Sequence, residues 1–452
     1  MILILGESVI IFLTVTLTFL VLTNEKSEIE KVLKEVWPRI LLVVVITQLC
    51  LYLSDLYEGH LLRNSRELVA KVLRAIGVTL ITLAFIYFVA PATIIGRWTF
   101  LWSTVLLAVF VISWRFLYSF IFQKTCFKKK TMIVGDGELA NDIIQELERD
   151  NQSNDEIGVI ITKGENKQNH GPRKRLQLRT GFEELYNLVK EEKISQIIVA
   201  LDQKRGVMPY KELLRCKMQG IKIIDGETFY ENASGKILVE RINPSWLIFS
   251  DGFEKTETAK TVKRLVGLTF ASLMLLFLSP LMALIAAAIK IDSPGRIMFS
   301  QERVGENGRM FTLHKFRSMC VDAEKTCGPV WADECDPRIT RVGRIIRKLR
   351  LDELPQLWDV IKGDMSFVGP RPERPYFVEK LMKAIPYYSE RLTVKPGITG
   401  WAQIKYPYGA SEKEALEKLK YDLYYIKNMS LLMDLTIIFH TVKIVLLGRG
   451  AR

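Results

Sequence analysis

Residues 351–375 read LDELPQLWDVIKGDMSFVGPRPERP, and the adjacent carboxylates Asp352 and Glu353 follow directly on RVGRIIRKLR, ten residues with five positive charges. Acids set among guanidinium groups suit a site shared by a pyrophosphate and a divalent cation. Arginine holds phosphate oxygens bidentately, Mg²⁺ takes one or two carboxylates plus phosphate oxygens, and an aspartate can attack phosphorus as a covalent nucleophile. The same residues would also make a helix cap salt-bridged to its neighbours, which needs no substrate, and spacing does not choose between the two. VGPRPERP then reads as a stiff extended segment presenting Arg371, because each proline fixes its own φ and turns the preceding residue away from helix.

Three elements must position these groups. Residues 336–350 read as a turn and a helix with Arg341, Arg344 and Arg347 at i, i+3, i+6, and with Ile345, Ile346 and Leu349 toward a core. Pro355 opens a second helix, which puts the acid pair near a helix N-terminus where partial positive charge favours anions. Upstream, the turn signals Ser293-Pro294-Gly295 and Glu306-Asn307-Gly308 bracket a hairpin-like stretch delivering Gln301, Arg303, Lys315 and Arg317.

The whole chain is apolar and basic at once, with 452 residues, 49% hydrophobic, and 63 Lys+Arg against 50 Asp+Glu. That combination fits a membrane protein facing anionic lipid or phosphate ligands. With no zinc spacing, no aromatic RNA-binding signature and no basic region with heptads, nucleic acid is set aside as a partner. The six cysteines are scattered and read as reduced structural thiols.

Four apolar stretches, about 2–22, 38–55, 76–95 and 99–121, are each near the ~20 residues a helix needs to cross a bilayer. The first lacks the basic start and small-residue cleavage site of a signal peptide. Arg63, Arg66, Lys71 and Arg74 after the second stretch, and Lys124 with the lysines at 128–130 after the fourth, place those segments and both termini in the cytosol. The lysines of the first loop are matched by Glu25, Glu28, Glu30 and Glu35, so that loop says little. A fifth apolar run, Leu265 to Ile289, has basic residues on both flanks and Ser279-Pro280 in its middle. A helix that breaks there, enters one leaflet and returns satisfies both features; a kinked ordinary span is the alternative. The C-terminal MSLLMDLTIIFHTVKIVLLG, interrupted by Asp434, His440 and Lys443, reads as a helix at the membrane surface.

Between the membrane segments, β-branched runs alternate with amphipathic helices from TMIVGDG through IGVIIT and ISQIIVAL to IKIID, which predicts a small parallel, Rossmann-like α/β domain. Gly135-x-Gly137-x-x-Ala140 lies between a strand and a helix, as phosphate loops do. A glycine turn needed for strand–helix packing explains it equally simply.

Residues 260–452 resemble the bacterial sugar transferases called polyprenyl-phosphate glycosyl-1-phosphate transferases, through the Ser279-Pro280 segment, DSPG, QERVG, KFRSM, DPRITRVGRIIRKLRLDELPQLWDVIKGDMSFVGPRP, KPGITGWAQ and YDLYYIKNMSLLMDL. The resemblance implies a re-entrant helix hairpin anchoring a cytosolic domain, and Mg²⁺-dependent transfer of sugar-1-phosphate from a UDP-sugar to undecaprenyl phosphate. Asp352 would attack the β-phosphate, UMP would leave, and the lipid phosphate would displace the aspartate. Glu353 would assist Mg²⁺ or proton handling. Lys315, Arg347 and Arg371 occupy matching positions for phosphate contacts, and Arg317 and Arg338 join them as candidate substrate-binding residues. The N-terminal spans and α/β domain resemble the long form tied to exopolysaccharide or capsule assembly, in the bacterial inner membrane. Where many relatives carry a Gly-Arg-Asn-like run, this chain reads KYPYGAS from Lys405, which leaves the sugar open.

The expected architecture is therefore a membrane helical bundle (1–125), a Rossmann-like α/β domain (126–250) with a homodimer as one role open to it, and a mixed α/β monotopic catalytic domain (251–452) with a re-entrant helix at 263–291. Two other classes compete. A membrane-bound nucleotide-sugar dehydratase or epimerase needs a second glycine-rich loop beside a Tyr-x-x-x-Lys pair, and neither Tyr186/Lys190 nor Tyr376/Lys380 has one. A non-catalytic scaffold of polysaccharide assembly would have no use for the acid pair and its arginines.

Overall fold

A computed structural model describes residues 2–23, 36–54, 56–57, 65–124, 129–149, 155–162, 177–180, 185–202, 207–241, 250, 252–253, 255–320, 338–406 and 411–446. The acids of the first loop, Arg63, Lys128 and residues 407–410 lie outside them. The chain divides into two compact units, residues 1–226 and 227–452.

The first unit begins with α1 (Ile2–Thr23), α2 (Trp37–Leu53), α3 (Ser65–Val89) and α4 (Arg97–Lys124). Ile11, Leu51, Leu68, Val72, Ala75 and Val111 fill the bundle interior, while Leu17, Phe85, Phe88 and Phe110 face outward. The third helix starts and ends earlier than the expected 76–95. Leu68, Val72, Ala75 and Ile76 repeat at i, i+4, i+7, i+8 and bury, which extends the helix past Lys71 and Arg74. Ala90, turned out of helical geometry at φ −129° and ψ 77° ahead of Pro91, ends it. A buried ion pair escaped the sequence reading: Arg115 Nε lies 2.6 Å from Glu7 Oε1, and Arg115 Nη1 donates to the Leu56 carbonyl at 2.6 Å. Charges within spans persist when paired in this way.

The α/β part follows, with β1 (Lys129–Val134), α5 (Glu138–Arg149), β2 (Asp155–Thr162), β3 (Gln177–Thr180), α6 (Leu185–Glu191), β4 (Gln196–Val199), α7 (Tyr210–Met218) and β5 (Lys222–Asp225). The sheet is parallel in the order β3-β2-β1-β4-β5, a Rossmann-like half with its switch point after β1. Met132, Val134, Ile197 and Val199 pack against Leu185, Leu188, Val189 and Leu213. The short edge strand β3 was not expected, because QLRT lacks the β-branched run that marked the other four.

The second unit takes up α8 (Gly226–Ser234) and the turn beyond it, which the bounds 126–250 gave to the α/β domain. Ile237 and Val239 bury with Leu419 and Leu423, Lys427 pairs with Glu231 at 2.7 Å, and Trp401 Nε1 donates to the Gly235 carbonyl at 2.8 Å. Apolar burial and these bonds bring residues 227–241 into the second unit.

Then come α9 (Glu257–Asp292), the antiparallel hairpin β6 (Met298–Val304) and β7 (Met310–Phe316), α10 (Arg341–Lys348), α11 (Gln356–Lys362), β8 (Ser366–Val368), α12 (Pro375–Ala384), β9 (Gly397–Thr399), α13 (Trp401–Lys405), α14 (Glu412–Lys427) and α15 (Leu431–Leu446). Strands β8 and β9 pair in parallel.

Helix α9 runs without interruption through Ser279 and Pro280, so the expected break there is not a break in the helix. Proline at 280 has no N–H for the Leu276 carbonyl. The Ser279 hydroxyl donates to that carbonyl at 2.8 Å and satisfies it locally. Residues on both sides of the proline pack on the same domain: Ala271 with Phe311 and Leu357, and Ile285 and Ile289 with Phe316 and Ile346. Leu276, Phe277 and Leu284 are exposed. Helix α9 and the three longer N-terminal helices are apolar and long enough to cross a membrane, whereas α2 has 17 residues. In α15 Asp434 and Lys443 are buried while Leu432, Leu435, Phe439 and Val442 are exposed, so its polar groups point inward and its apolar face outward. That inversion suits an apolar surrounding.

Candidate active site

The hairpin β6–β7, the turn after α10 and the proline-rich segment after β8 converge on the acid pair. Thr340 caps α10, its hydroxyl accepting from Gly343 N at 2.9 Å, and Ile346 buries against Phe316. Arg350 then adopts φ +54°, in the left-handed region that costs a non-glycine residue about 1–2 kcal/mol. This reversal leads into a 3₁₀ turn, Leu351–Glu353, which carries both acids just ahead of α11.

The two acids differ. Glu353 Oε1 accepts from Lys315 Nζ at 3.2 Å and from Arg371 Nη2 at 2.8 Å. Burial alone would push its carboxyl up, but the Arg371, Lys315 and Arg350 charges overcome that and hold Glu353 far below the usual carboxylate range. Asp352 moves the other way. Burial raises it first, the Glu353 charge adds to the rise, and Lys315, Arg347 and Arg371 oppose. Four cations (Lys315, Arg347, Arg350, Arg371) thus act on two carboxylates, leaving a positive excess suited to a further anion.

Two buried donors in this region have no hydrogen-bond partner among the described residues, Arg347 Nη1 and Gln403 Nε2. The other end of the Gln403 amide accepts from Arg371 Nη1 at 3.3 Å. An anion with several oxygens would satisfy such donors.

The segment bearing Arg371 is held from two sides. Arg303 Nη1 donates to the Pro372 carbonyl at 3.1 Å, and Val304 N to the Glu373 carbonyl at 3.0 Å. Arg391, buried in an ion pair with Asp422 at 2.9 Å, donates to the Arg371 carbonyl at 3.0 Å. Rigidity here comes from these clamps as well as from the prolines. Gln403, Arg350, Arg391 and Asp422 were not among the expected site residues. WAQ within KPGITGWAQ was the available signal for Gln403, but nothing local marks a contact 31 residues apart such as Arg391–Asp422.

Of the expected residues, Asp352, Glu353, Lys315, Arg347 and Arg371 come together. Arg317 does a different job: 8% exposed, it donates to the Ser293 and Pro294 carbonyls and the Ser293 hydroxyl at 2.7–2.8 Å, fastening the turn after α9. It is a structural clamp, because both terminal nitrogens are already bound. Arg338 sits beside the Met319–Ile339 bridge, its carbonyl accepting from Cys320 N at 2.8 Å.

No group of three or more His, Cys, Asp or Glu side chains gathers among the described residues. An all-protein metal cage does not fit. Asp352 and Glu353 do fit Mg²⁺, which is content with one or two carboxylates when phosphate oxygens complete its shell.

The glycine loop of the α/β part is closed to a phosphate. Asp202 Oδ2 accepts from Glu138 N at 3.2 Å and Oδ1 from Leu139 N at 3.4 Å, so the α5 N-terminus is capped from within. A Cβ on Gly137 would meet Asp202 Oδ2 at 1.9 Å, and one on Gly135, at φ +133°, the Ala200 carbonyl at 2.1 Å. These glycines serve close packing, and the carboxylate stands where a pyrophosphate would sit.

A family profile described as bacterial sugar transferase matches residues 258–448, and one described as CoA-binding domain matches 52–208. The Asp202 cap does not fit the pyrophosphate of such a ligand at that helix. Among curated proteins, the chain is 41% identical over 240 residues to the UDP-N-acetylgalactosamine-undecaprenyl-phosphate N-acetylgalactosaminephosphotransferase of Aeromonas hydrophila, covering 53% of this chain and 56% of that one. It is 38% identical over 277 residues to the undecaprenyl-phosphate glucose phosphotransferase of Komagataeibacter xylinus, covering 60% and 52%. These alignments span about half the length of the two relatives. It is also 41% identical over 182 residues to the exopolysaccharide production protein PSS of Rhizobium leguminosarum, covering 38% of this chain and 90% of that one. The chain belongs to the bacterial sugar transferase family.

Proposed function

We propose that this protein is a phosphoglycosyl transferase that moves a sugar-1-phosphate from a UDP-sugar to undecaprenyl phosphate in the bacterial inner membrane. The observation carrying this reading is the unequal acid pair. Glu353 is committed to Lys315 and Arg371, while Asp352 sits beside Arg347, whose buried Nη1 has no hydrogen-bond partner among the described residues.

In this mechanism Arg347 and Arg371 hold the diphosphate oxygens and Lys315 neutralises charge between diphosphate and Glu353. An Asp352 oxygen attacks the β-phosphorus, the bond from that phosphorus to the bridging oxygen breaks, and UMP leaves with the electron pair. An oxygen of undecaprenyl phosphate then attacks the same phosphorus, and Asp352 departs as carboxylate. Mg²⁺ held by Asp352 and Glu353 would supply charge neutralisation at the diphosphate. Glu353 fixes the two cations so that the site is organised before substrate arrives. The catalytic unit works on the cytoplasmic face, and the reaction serves as the first membrane step of exopolysaccharide or capsule assembly, the exopolysaccharide role being in line with the name of the Rhizobium leguminosarum relative.

The test is UMP release by the full chain in lipid particles with Mg²⁺, a panel of UDP-sugars and undecaprenyl phosphate. Release with one donor, lost with EDTA and in Asp352→Asn, is the expected result. Undiminished release by Asp352→Asn overturns the role of Asp352, and absence of UMP with every donor overturns the reaction.

A further inference from the structure

A second basic groove, of about 580 Å³, opens where α9 begins, and none of Lys315, Arg347, Asp352, Glu353 or Arg371 lines it. Five cations border it, Lys255, Lys260, Lys263, Arg264 and Lys395, against two acids, Glu257 and Glu306. Several are fixed in place. Arg264 Nη2 donates to the Ile361 carbonyl at 2.7 Å, Lys395 Nζ to the Gly363 carbonyl at 2.8 Å, and Lys255 Nζ to the Lys427 carbonyl at 2.8 Å. Burial lowers the Lys255 ammonium, and the Lys263 charge lowers it further, which an anion in the groove would relieve.

The position of the groove selects the anion. No charged residue follows Arg264 until Lys290, and from Leu265 onward α9 exposes Leu265, Phe270, Leu273 and Leu276. Lys263 Nζ, 2.9 Å from Asp434 Oδ2, pins α9 to α15, whose outer face exposes Leu432, Leu435 and Phe439. The basic groove therefore sits at the polar edge of two apolar surfaces, at the level where phosphates lie when those surfaces are in hydrocarbon.

We propose that this groove binds the phosphate headgroup of an anionic glycerophospholipid, whose acyl chains lie along the outer faces of α9 and α15. The site is separate from the acid pair and does not depend on the reaction assigned to it. Native mass spectrometry tests it, on the full chain released from nanodiscs of equal dioleoylphosphatidylglycerol and dioleoylphosphatidylcholine. Phosphatidylglycerol should be retained at least tenfold over phosphatidylcholine. Lys260→Gln, at a half-exposed side chain bonded to Glu257, should lower that retention about fivefold, because each basic residue at an anionic surface adds to the attraction. Glu257→Gln should raise it by a similar factor without a burden on folding. Equal retention of both lipids, or no response to either variant, overturns the proposal. One-for-one displacement of phosphatidylglycerol by added undecaprenyl phosphate also overturns it, assigning the groove to that lipid instead.

Discussion

Asp352→Asn and Glu353→Gln each remove one carboxylate from the same turn, yet should move stability in opposite directions. Glu353→Gln leaves Lys315 and Arg371 facing one another without their shared counter-charge. Breaking a buried pair from one side costs about 3–5 kcal/mol. The Lys315 and Arg371 side chains are 19% and 41% exposed, so water screens part of this and about 2–3 kcal/mol remains. For a unit of this size that is a fall of about 5–10 °C in melting temperature. Asp352→Asn relieves burial of a charge beside Glu353 and should stabilise by about 0.5–2 kcal/mol while ending transfer. The pH dependence separates them further. Asp352 binds its proton more tightly folded than unfolded, so its contribution is present in acid and lost as pH rises through its raised folded value. The advantage of Asp352→Asn should therefore be fullest at high pH and shrink as the medium is acidified through that raised value. Glu353, held low, contributes above the ordinary carboxylate value and loses that contribution only in strong acid, so the Glu353→Gln deficit should persist from pH 8 to 5. Thermal unfolding of each variant across this range, beside UMP release, reads both effects. Asp352→Asn melting several degrees low at pH 8, or Glu353→Gln melting with wild type, refutes the asymmetry.

Arg391→Met strands the buried Asp422 carboxylate and releases the Arg371 carbonyl, a loss of about 3–5 kcal/mol. The double variant Arg391→Met/Asp422→Leu should recover the melting temperature but keep a raised KM for the UDP-sugar, and full recovery of KM removes the clamp from the explanation. Ser279→Ala takes away the hydroxyl that donates to the Leu276 carbonyl ahead of Pro280, worth about 0.6 kcal/mol within a membrane. Pro280→Ala should offset that loss in the double variant by restoring the missing N–H; failure of the pair to melt at or above wild type argues against the local satisfaction of that carbonyl.

How far the sequence could be read depended on the range of the interactions. The period of the β-branched runs gave four of the five parallel strands, and the apolar stretches located the long apolar helices, because both signals repeat within a few residues. The acid pair and its lysine and arginines stood out by residue type, although spacing alone left a salt-bridged helix cap equally open and only the family resemblance favoured a phosphate site. Arg317 misled for the same reason: a guanidinium near a phosphate site and one tying down a turn look alike until the Ser293 and Pro294 carbonyls are seen beside it. Residues 227–241 were placed in the wrong unit because Ile237 and Val239 find their core partners near residue 420, a distance no local pattern reports.

The family resemblance separated the roles of the two acids, but their opposite electrostatics were not legible in the sequence, where Asp352 and Glu353 are simply neighbours. It arises from the turn. Arg350 in the left-handed region reverses the chain, and the 3₁₀ geometry that follows aims consecutive side chains in different directions. Glu353 thereby reaches cations brought by β7 and by the segment after β8, two elements more than fifty residues apart in the chain. Asp352 gains burial and a like charge that the nearby Lys315, Arg347 and Arg371 oppose without outweighing. A strained residue and a disfavoured carboxylate in adjacent positions both cost stability, and the clamps from Arg303 and Arg391 supply the surrounding rigidity that such a cost requires. If stability alone shaped this turn, a glycine at 350 and an amide at 352 would serve it better.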